Sequence, residues 1–167
     1  MKIVFTQKDM IKFQNNLRLL NHTITTAESC TGGMIASKIT SISGSSDIFH
    51  GGIITYANHI KEQELGVNKE TMIRHGVVSR EVVREMLEGV LKKFNANYAI
   101  AVSGVAGPTG GTPNKPVGMV VLGIADNKGF FDIEIYHFKG TRIEVQKQAA
   151  YTSLQKISKF VQNCLDK

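Results

Sequence analysis

A chain of 167 residues is the size of one domain and can bury a core without disulfide or metal staples. Its 42% hydrophobic and 20% charged residues are those of an ordinary globular protein and exclude a disordered chain. The net charge of +6 comes from scattered basic residues with no run of five or more, which argues against nucleic-acid binding and suits an anionic small substrate or plain solubility.

The amino terminus, MKIVFTQKDMIKF, carries charges at short intervals and has no apolar core of signal-peptide length. No segment approaches the roughly 18 apolar residues of a membrane span, so a cytoplasmic protein without a membrane partner is expected. Helix is expected over 8–20, strand over 23–28, helix over 32–42 and strand over 51–56. Short helices follow at 58–65 and 69–75. The clearest helix is 79–95, SREVVREMLEGVLKKFN. Ser79 can cap it, and Val83, Met86, Leu87, Val90, Leu91 and Phe94 form one apolar stripe. Lys92 and Lys93 complement the dipole in its last turn. YAIAVSG (98–104) reads as a strand covered on both faces, and a long loop spans 104–116. Strands 117–125 and 131–138 flank Asn127-Lys128-Gly129 as an antiparallel hairpin, and a helix over 141–165 closes the chain. The order suggests one domain, 1–167, in the α/β class: a three-layer α/β/α sandwich with a mixed sheet and a carboxy-terminal β-hairpin followed by a long helix.

Chemistry concentrates where the first strand turns into a helix, at TTAESCTGGMIASKI (25–39). A helix start leaves backbone N–H groups unpaired, and Gly32 and Gly33 let a ligand approach them. Those donors could hold a phosphate, or an oxyanion formed when Ser29 attacks a carbonyl. The other reading is a serine and a threonine capping a tight turn. Cys30 and Cys164 lie far apart, in neither a disulfide framework nor a zinc pattern, and Cys30 reads as a small buried residue.

A serine nucleophile needs a base. His22, His50, His59, His75 and His137 show no suggestive carboxylate partner, and no metal-ligand spacing appears, so neither metal nor cofactor is expected. ITYANHIK (54–61) offers a lysine instead, with Tyr56 at a strand end and Lys61 on the next helix. Strand ends gather on one sheet edge in α/β folds, where Tyr56, Lys61 and Ser29 could meet. A lysine acting as base must be neutral near pH 7, about 3 pH units below its ordinary value, at a cost of roughly 4 kcal/mol. A solvent lysine on a helix face is the alternative. Ser153 and Lys156 match an S-x-x-K pattern by chance, inside an amphipathic helix. The loop SGVAGPTGGTPNKPVG (103–118) holds all three prolines of the chain and four glycines, Gly104, Gly107, Gly110 and Gly111, before its closing Gly118. It is neither a Walker loop nor a Rossmann fingerprint. A loop of this length in a compact domain suits a substrate cover or a phosphate site.

TAESCTGG, GSSDIFHGGIITYAN, HGVVSREV, SGVAGPTGGTPNKPVG and GTR occur in this order. Together they resemble the carboxy-terminal domain family of the competence-damage protein CinA, especially its stand-alone members, the nicotinamide-nucleotide amidases. The resemblance runs from about residue 10 to the end of the chain. It implies a metal-independent amidase that converts nicotinamide mononucleotide to nicotinic acid mononucleotide and ammonia, a recycling step for pyridine nucleotides. Carried over by position, Ser29 is the nucleophile, with Tyr56 and Lys61 as activating partners. The glycine-rich loop and Arg142 would hold the substrate and its phosphate, and Glu28, Thr31, Gly32, Gly33, Ser103, Gly104, Gly107, Gly110 and Gly111 complete the implied substrate site. Glu28 has three equal readings: it orients Lys61, it orients Thr31, or it caps the turn. Ser103 replaces a frequent threonine and keeps the hydroxyl. Thr141 replaces a frequent aspartate beside Arg142. Larger CinA proteins carry a further amino-terminal domain, whose activities are not carried over. The family also contains paralogues without detected amidase activity, so the alternative is a silent nucleotide-binding or regulatory module. A homo-oligomer is compatible with either reading.

Overall fold

The computed structural model describes residues 2–167. Five strands form one mixed sheet: β1 (Ile24–Glu28), β2 (Phe49–Ile54), β3 (Tyr98–Gly104), β4 (Met119–Asp126) and β5 (Phe131–His137), in the order β2-β1-β3-β4-β5. β1 runs parallel to β2 and β3, and β4 and β5 run antiparallel to their neighbours. The hairpin turn is held by Asp126, whose carboxylate accepts from the Lys128 and Phe130 N–H groups, and Gly129 supplies the positive φ.

Alternation along β3 divides the core. Tyr98, Ile100 and Val102 face one layer with α1 (Gln7–Leu20), α2 (Met34–Thr40) and α6 (Arg142–Leu165). Ala99 and Ala101 face the other, where α5 (Arg80–Phe94) packs Val82, Val83, Met86, Leu87 and Val90. Small residues on that face let α5 lie close: a side chain at Gly123 would meet Leu87 and Val83 at 2.8 Å. α3 (Asn58–Leu65) and α4 (Lys69–His75) complete this side of the three-layer α/β/α sandwich.

The helix ends follow local chemistry. Asp9 and Thr6 exchange hydrogen bonds as a capping box for α1, and the Ser79 hydroxyl accepts from the Val82 N–H at the start of α5. α2 begins at Met34, two residues later than the sequence pattern suggests, because Gly32 and Gly33 adopt φ of +59° and +100° and extend the turn. β2 lies two residues earlier than expected, so Thr55 and Tyr56 fall beyond its end. A short 3-10 helix at Ser45–Asp47 carried no sequence signal that we read. Among the described residues, no helix is long and apolar enough to cross a membrane.

Candidate functional site

Parallel β1, β2 and β3 all finish on one edge of the sheet. There the Ser29 N–H donates to the Val102 carbonyl at 3.1 Å, and the Thr55 N–H donates to the Glu28 carbonyl at 2.8 Å. The antiparallel pairing brings β5 to an end on the same edge, since Met119 pairs with His137 and Val120 with Gly104. α6 therefore starts beside the ends of β1 and β2. This is the edge where ligands bind in open α/β sheets.

Ser29 opens a tight turn closed by the Gly32 N–H donating to its carbonyl at 3.0 Å. Beneath it lies Glu28, a buried carboxylate with three donors: the Thr31 hydroxyl at 2.7 Å, the Ile35 N–H at 2.9 Å and the Ala36 N–H at 3.0 Å. Glu28 thus joins two of its three expected roles, holding Thr31 and capping α2, and it does not touch Lys61. The side chains of Glu28 and Thr31 are committed inward rather than open to a substrate. The expectation that the α2 start presents its donors outward is also corrected, since Glu28 takes two of them. The N–H groups of Cys30, Thr31 and Gly33 remain, and none donates to another described residue.

Lys61 is the fourth residue of α3 and shares its buried face with Leu65, one turn on. The side chain is 1% exposed, so the solvent-lysine reading is wrong. Its Nζ donates to the Thr55 carbonyl at 2.7 Å and to Ser29 Oγ at 3.3 Å. No described carboxylate lies within ion-pair distance of it. Burial therefore pushes the ammonium below its ordinary range. Next to Ser29, burial pushes the Cys30 thiol up to about 12, which keeps it protonated and leaves the hydroxyl as the nucleophile candidate.

Tyr56 stands apart from this pair. It is 60% exposed, and its hydroxyl accepts from Arg142 Nη2 at 2.6 Å, with no hydrogen bond to Ser29 or Lys61. Arg142 also donates through Nη1 to the Gly107 carbonyl at 2.8 Å. One guanidinium thus ties the segment after β2 to the glycine-rich loop. That loop folds over a cleft of about 460 Å³ whose walls include Gly104, Gly107, Gly110, Lys115 and Arg142. Ser29, Tyr56 and Lys61 do not line this cleft; Arg142 is the member common to both features. Ser103 and Gly111 support it from behind. The Ser103 hydroxyl donates to the Val77 carbonyl at 2.8 Å, and Gly111 lies against the Val117 backbone.

The histidines stay outside the site. His22 pairs with the Tyr98 hydroxyl at 3.0 Å, and His75, unlike the sequence expectation, has a carboxylate neighbour, Glu81, at 3.6 Å on the surface. The S-x-x-K match is spent elsewhere: the Ser153 hydroxyl donates to the Ala149 carbonyl, while Lys156 pairs with Asp132 and Glu134.

Three contributors were missed from the sequence. The Thr55 carbonyl, which holds Lys61, is backbone and has no residue signal. Lys115 donates to the His75 carbonyl at 2.6 Å and pins the loop to α4; its place as the only cation of the glycine-rich loop was a usable cue. Gln146 donates to the Cys30 carbonyl at 2.9 Å, and its spacing of four from Arg142 puts both on one face of α6.

Relatives carry the same architecture. The protein named nicotinamide-nucleotide amidohydrolase PncC from Escherichia coli (strain K12) is 46% identical over 148 residues, which cover 88% of this chain and 90% of that protein. A CinA-like protein of Prochlorococcus marinus (strain NATL2A) is 49% identical over 136 residues, 81% of this chain. The chain spans about a third of the length of that protein and of similar long relatives, 32% in this case. The crystal structure of a CinA superfamily protein from Klebsiella pneumoniae superimposes with a TM-score of 0.90 at 29% identity, covering 96% of this chain and 99% of that one. Residues 7–161 match the CinA C-terminal domain, and the chain belongs to that family.

Proposed function

We propose that this protein is an amidohydrolase that converts nicotinamide mononucleotide to nicotinic acid mononucleotide and ammonia, with Ser29 as nucleophile and Lys61 as its base. The observation that carries the reading is a buried lysine, free of any described carboxylate, hydrogen-bonded to a serine at a strand-end turn. The match to the E. coli amidohydrolase, over 88% of this chain and 90% of that protein, supports the substrate class.

The geometry suits a base. A neutral amine keeps two N–H bonds and one lone pair. The Thr55 carbonyl takes one N–H, which leaves the lone pair free to turn to Ser29 Oγ. Ser29 attacks the carboxamide carbon as its proton passes to Lys61 Nζ, and a C–O bond forms. The tetrahedral oxyanion is stabilised by the unpartnered backbone N–H groups of the turn. Lys61 returns the proton to the departing nitrogen, the C–N bond breaks and ammonia leaves. Water, deprotonated by Lys61, then cleaves the acyl ester and restores Ser29. In this reading the cleft under the glycine-rich loop takes the nucleotide, with Arg142 and Lys115 as its cations.

Purified protein incubated with nicotinamide mononucleotide should release ammonia and the acid mononucleotide in equal amounts. Tight binding of the mononucleotide without release would instead identify a silent binding module.

A further inference from the structure

We infer that Gln146 is a positioning residue for this reaction: it sets the Cys30–Thr31 peptide so that the Thr31 N–H faces the developing oxyanion. The inference rests on the amidase reading above. The turn that carries Ser29 is closed by one backbone hydrogen bond, Gly32 N–H to Ser29 carbonyl. That bond fixes the two ends of the turn and leaves its central peptide, Cys30–Thr31, as the unit free to rotate. Two features hold it. Thr31 has negative φ, as a β-branched residue requires, and Gln146 Nε2 grips the Cys30 carbonyl at 2.9 Å from across 116 residues of chain. In a trans peptide the carbonyl and the following N–H point in opposite directions. Holding the Cys30 oxygen toward α6 therefore aims the Thr31 N–H away from α6. No described group accepts from that N–H, although Thr31 is buried at 2% exposure. A buried donor without a partner beside a nucleophile is placed for charge that arises only during reaction. The Thr31 hydroxyl cannot serve in its stead, because Glu28 holds it.

α6 therefore contributes twice. Arg142 reaches the glycine-rich loop and Tyr56, and Gln146, one turn later, reaches the nucleophile turn. Setting a transition-state donor affects turnover, whereas Arg142 affects binding.

The test compares Gln146→Met, which keeps length and loses the donor, with Gln146→Glu, which places an acceptor against the carbonyl. In both, kcat on nicotinamide mononucleotide should fall about tenfold to a hundredfold, less than or equal to the loss of a whole oxyanion donor, with KM within about twofold of wild type. In wild-type protein, the amide proton of Thr31 should move downfield when the 3-carboxaldehyde analogue of the substrate forms its Ser29 hemiacetal, and should move less in Gln146→Met. Unchanged kcat in both variants would overturn the proposal. So would a parallel loss of kcat, substrate affinity and melting temperature, which marks a packing role. A Thr31 amide that does not respond to the aldehyde in wild-type protein removes the assignment even if the variants do not fold. Absence of any amide hydrolysis by wild-type protein would instead reject the amidase reading, a separate outcome.

Discussion

Arg142 and Tyr56, separated by 86 residues, meet through a 2.6 Å hydrogen bond at the surface. The same guanidinium holds the Gly107 carbonyl, so its two arms brace two loops at once. Tyr56→Phe removes one brace. Because the phenol is largely exposed, the melting temperature should stay within about 2 °C, and the loss should appear mainly in KM. A drop in kcat of a thousandfold or more, with KM unchanged, would return Tyr56 to the proton path.

Arg142→Lys should not rescue Arg142→Ala. A single ammonium cannot span the Gly107 carbonyl and the Tyr56 hydroxyl as a planar fork does. The comparison is KM for nicotinamide mononucleotide against nicotinamide riboside. We expect the variants to lose most of the preference for the phosphorylated compound; an equal penalty on both compounds would remove the phosphate role.

Ser29→Ala should abolish hydrolysis, by several orders of magnitude, and leave mononucleotide binding and the fold in place. The hydroxyl makes one hydrogen bond, from Lys61, so little native structure depends on it. Near-wild-type ammonia release from the variant would rule out the nucleophile assignment.

Lys61 links pH to both rate and stability. Its folded pKa lies below the ordinary 10.5, because burial disfavours the ammonium. Between the lowered value and 10.5 the unfolded chain holds a proton that the native chain has lost, so stability rises with pH across that window. Below it both states are protonated and the burial penalty is complete. Denaturant titrations of wild type and Lys61→Met should therefore converge as pH rises through this window, with wild type the less stable at its acid end. The hydrolysis rate should rise through the same lowered ionisation. Lys61→Arg should be inactive at every pH, since guanidinium holds its proton in proteins. Activity in that variant would make position 61 a fixed charge.

Gly89→Ala should destabilise by about 1–3 kcal/mol, because the added methyl would overlap the Leu65 carbonyl where α3 crosses α5. Gly32→Ala, with open space but φ of +59°, should cost about 1 kcal/mol from backbone strain alone. Chemical denaturation of the two variants separates packing from conformation.

Much of the architecture was legible because its signals are local. The apolar stripe of α5, the alternation in β3 and the Asn-Lys-Gly hairpin are each contained in a few residues. The pairing of Ser29 with Lys61 was legible only as a meeting of strand ends. Whether Lys61 points inward depends on the face that α3 turns to α5, set by Leu65 and Gly89 together, and no window around ITYANHIK contains that information. Tyr56 was expected to meet the pair and is hydrogen-bonded to Arg142 instead, for a related reason. β2 ends at Ile54, so Tyr56 lies beyond the strand rather than at its last position, and its hydroxyl meets Arg142. Glu28 could not be resolved between its readings because its donors are mostly backbone N–H groups of α2.

The burial of Lys61 also has a meaning for lineage. An amine held in a nearly dry position without a counter-charge opposes folding, and an apolar side chain of similar length would relieve that opposition. Selection for a stable fold alone pushes against lysine there, and the proposed role as base supplies a reason for it to stay. Among chains of this architecture, a sequence released from its reaction gains by changing position 61 before it gains by changing the exposed Tyr56. If Lys61 is the base we propose, the residue at that one position should separate working from silent branches, which amidase assays of relatives with and without lysine there would check.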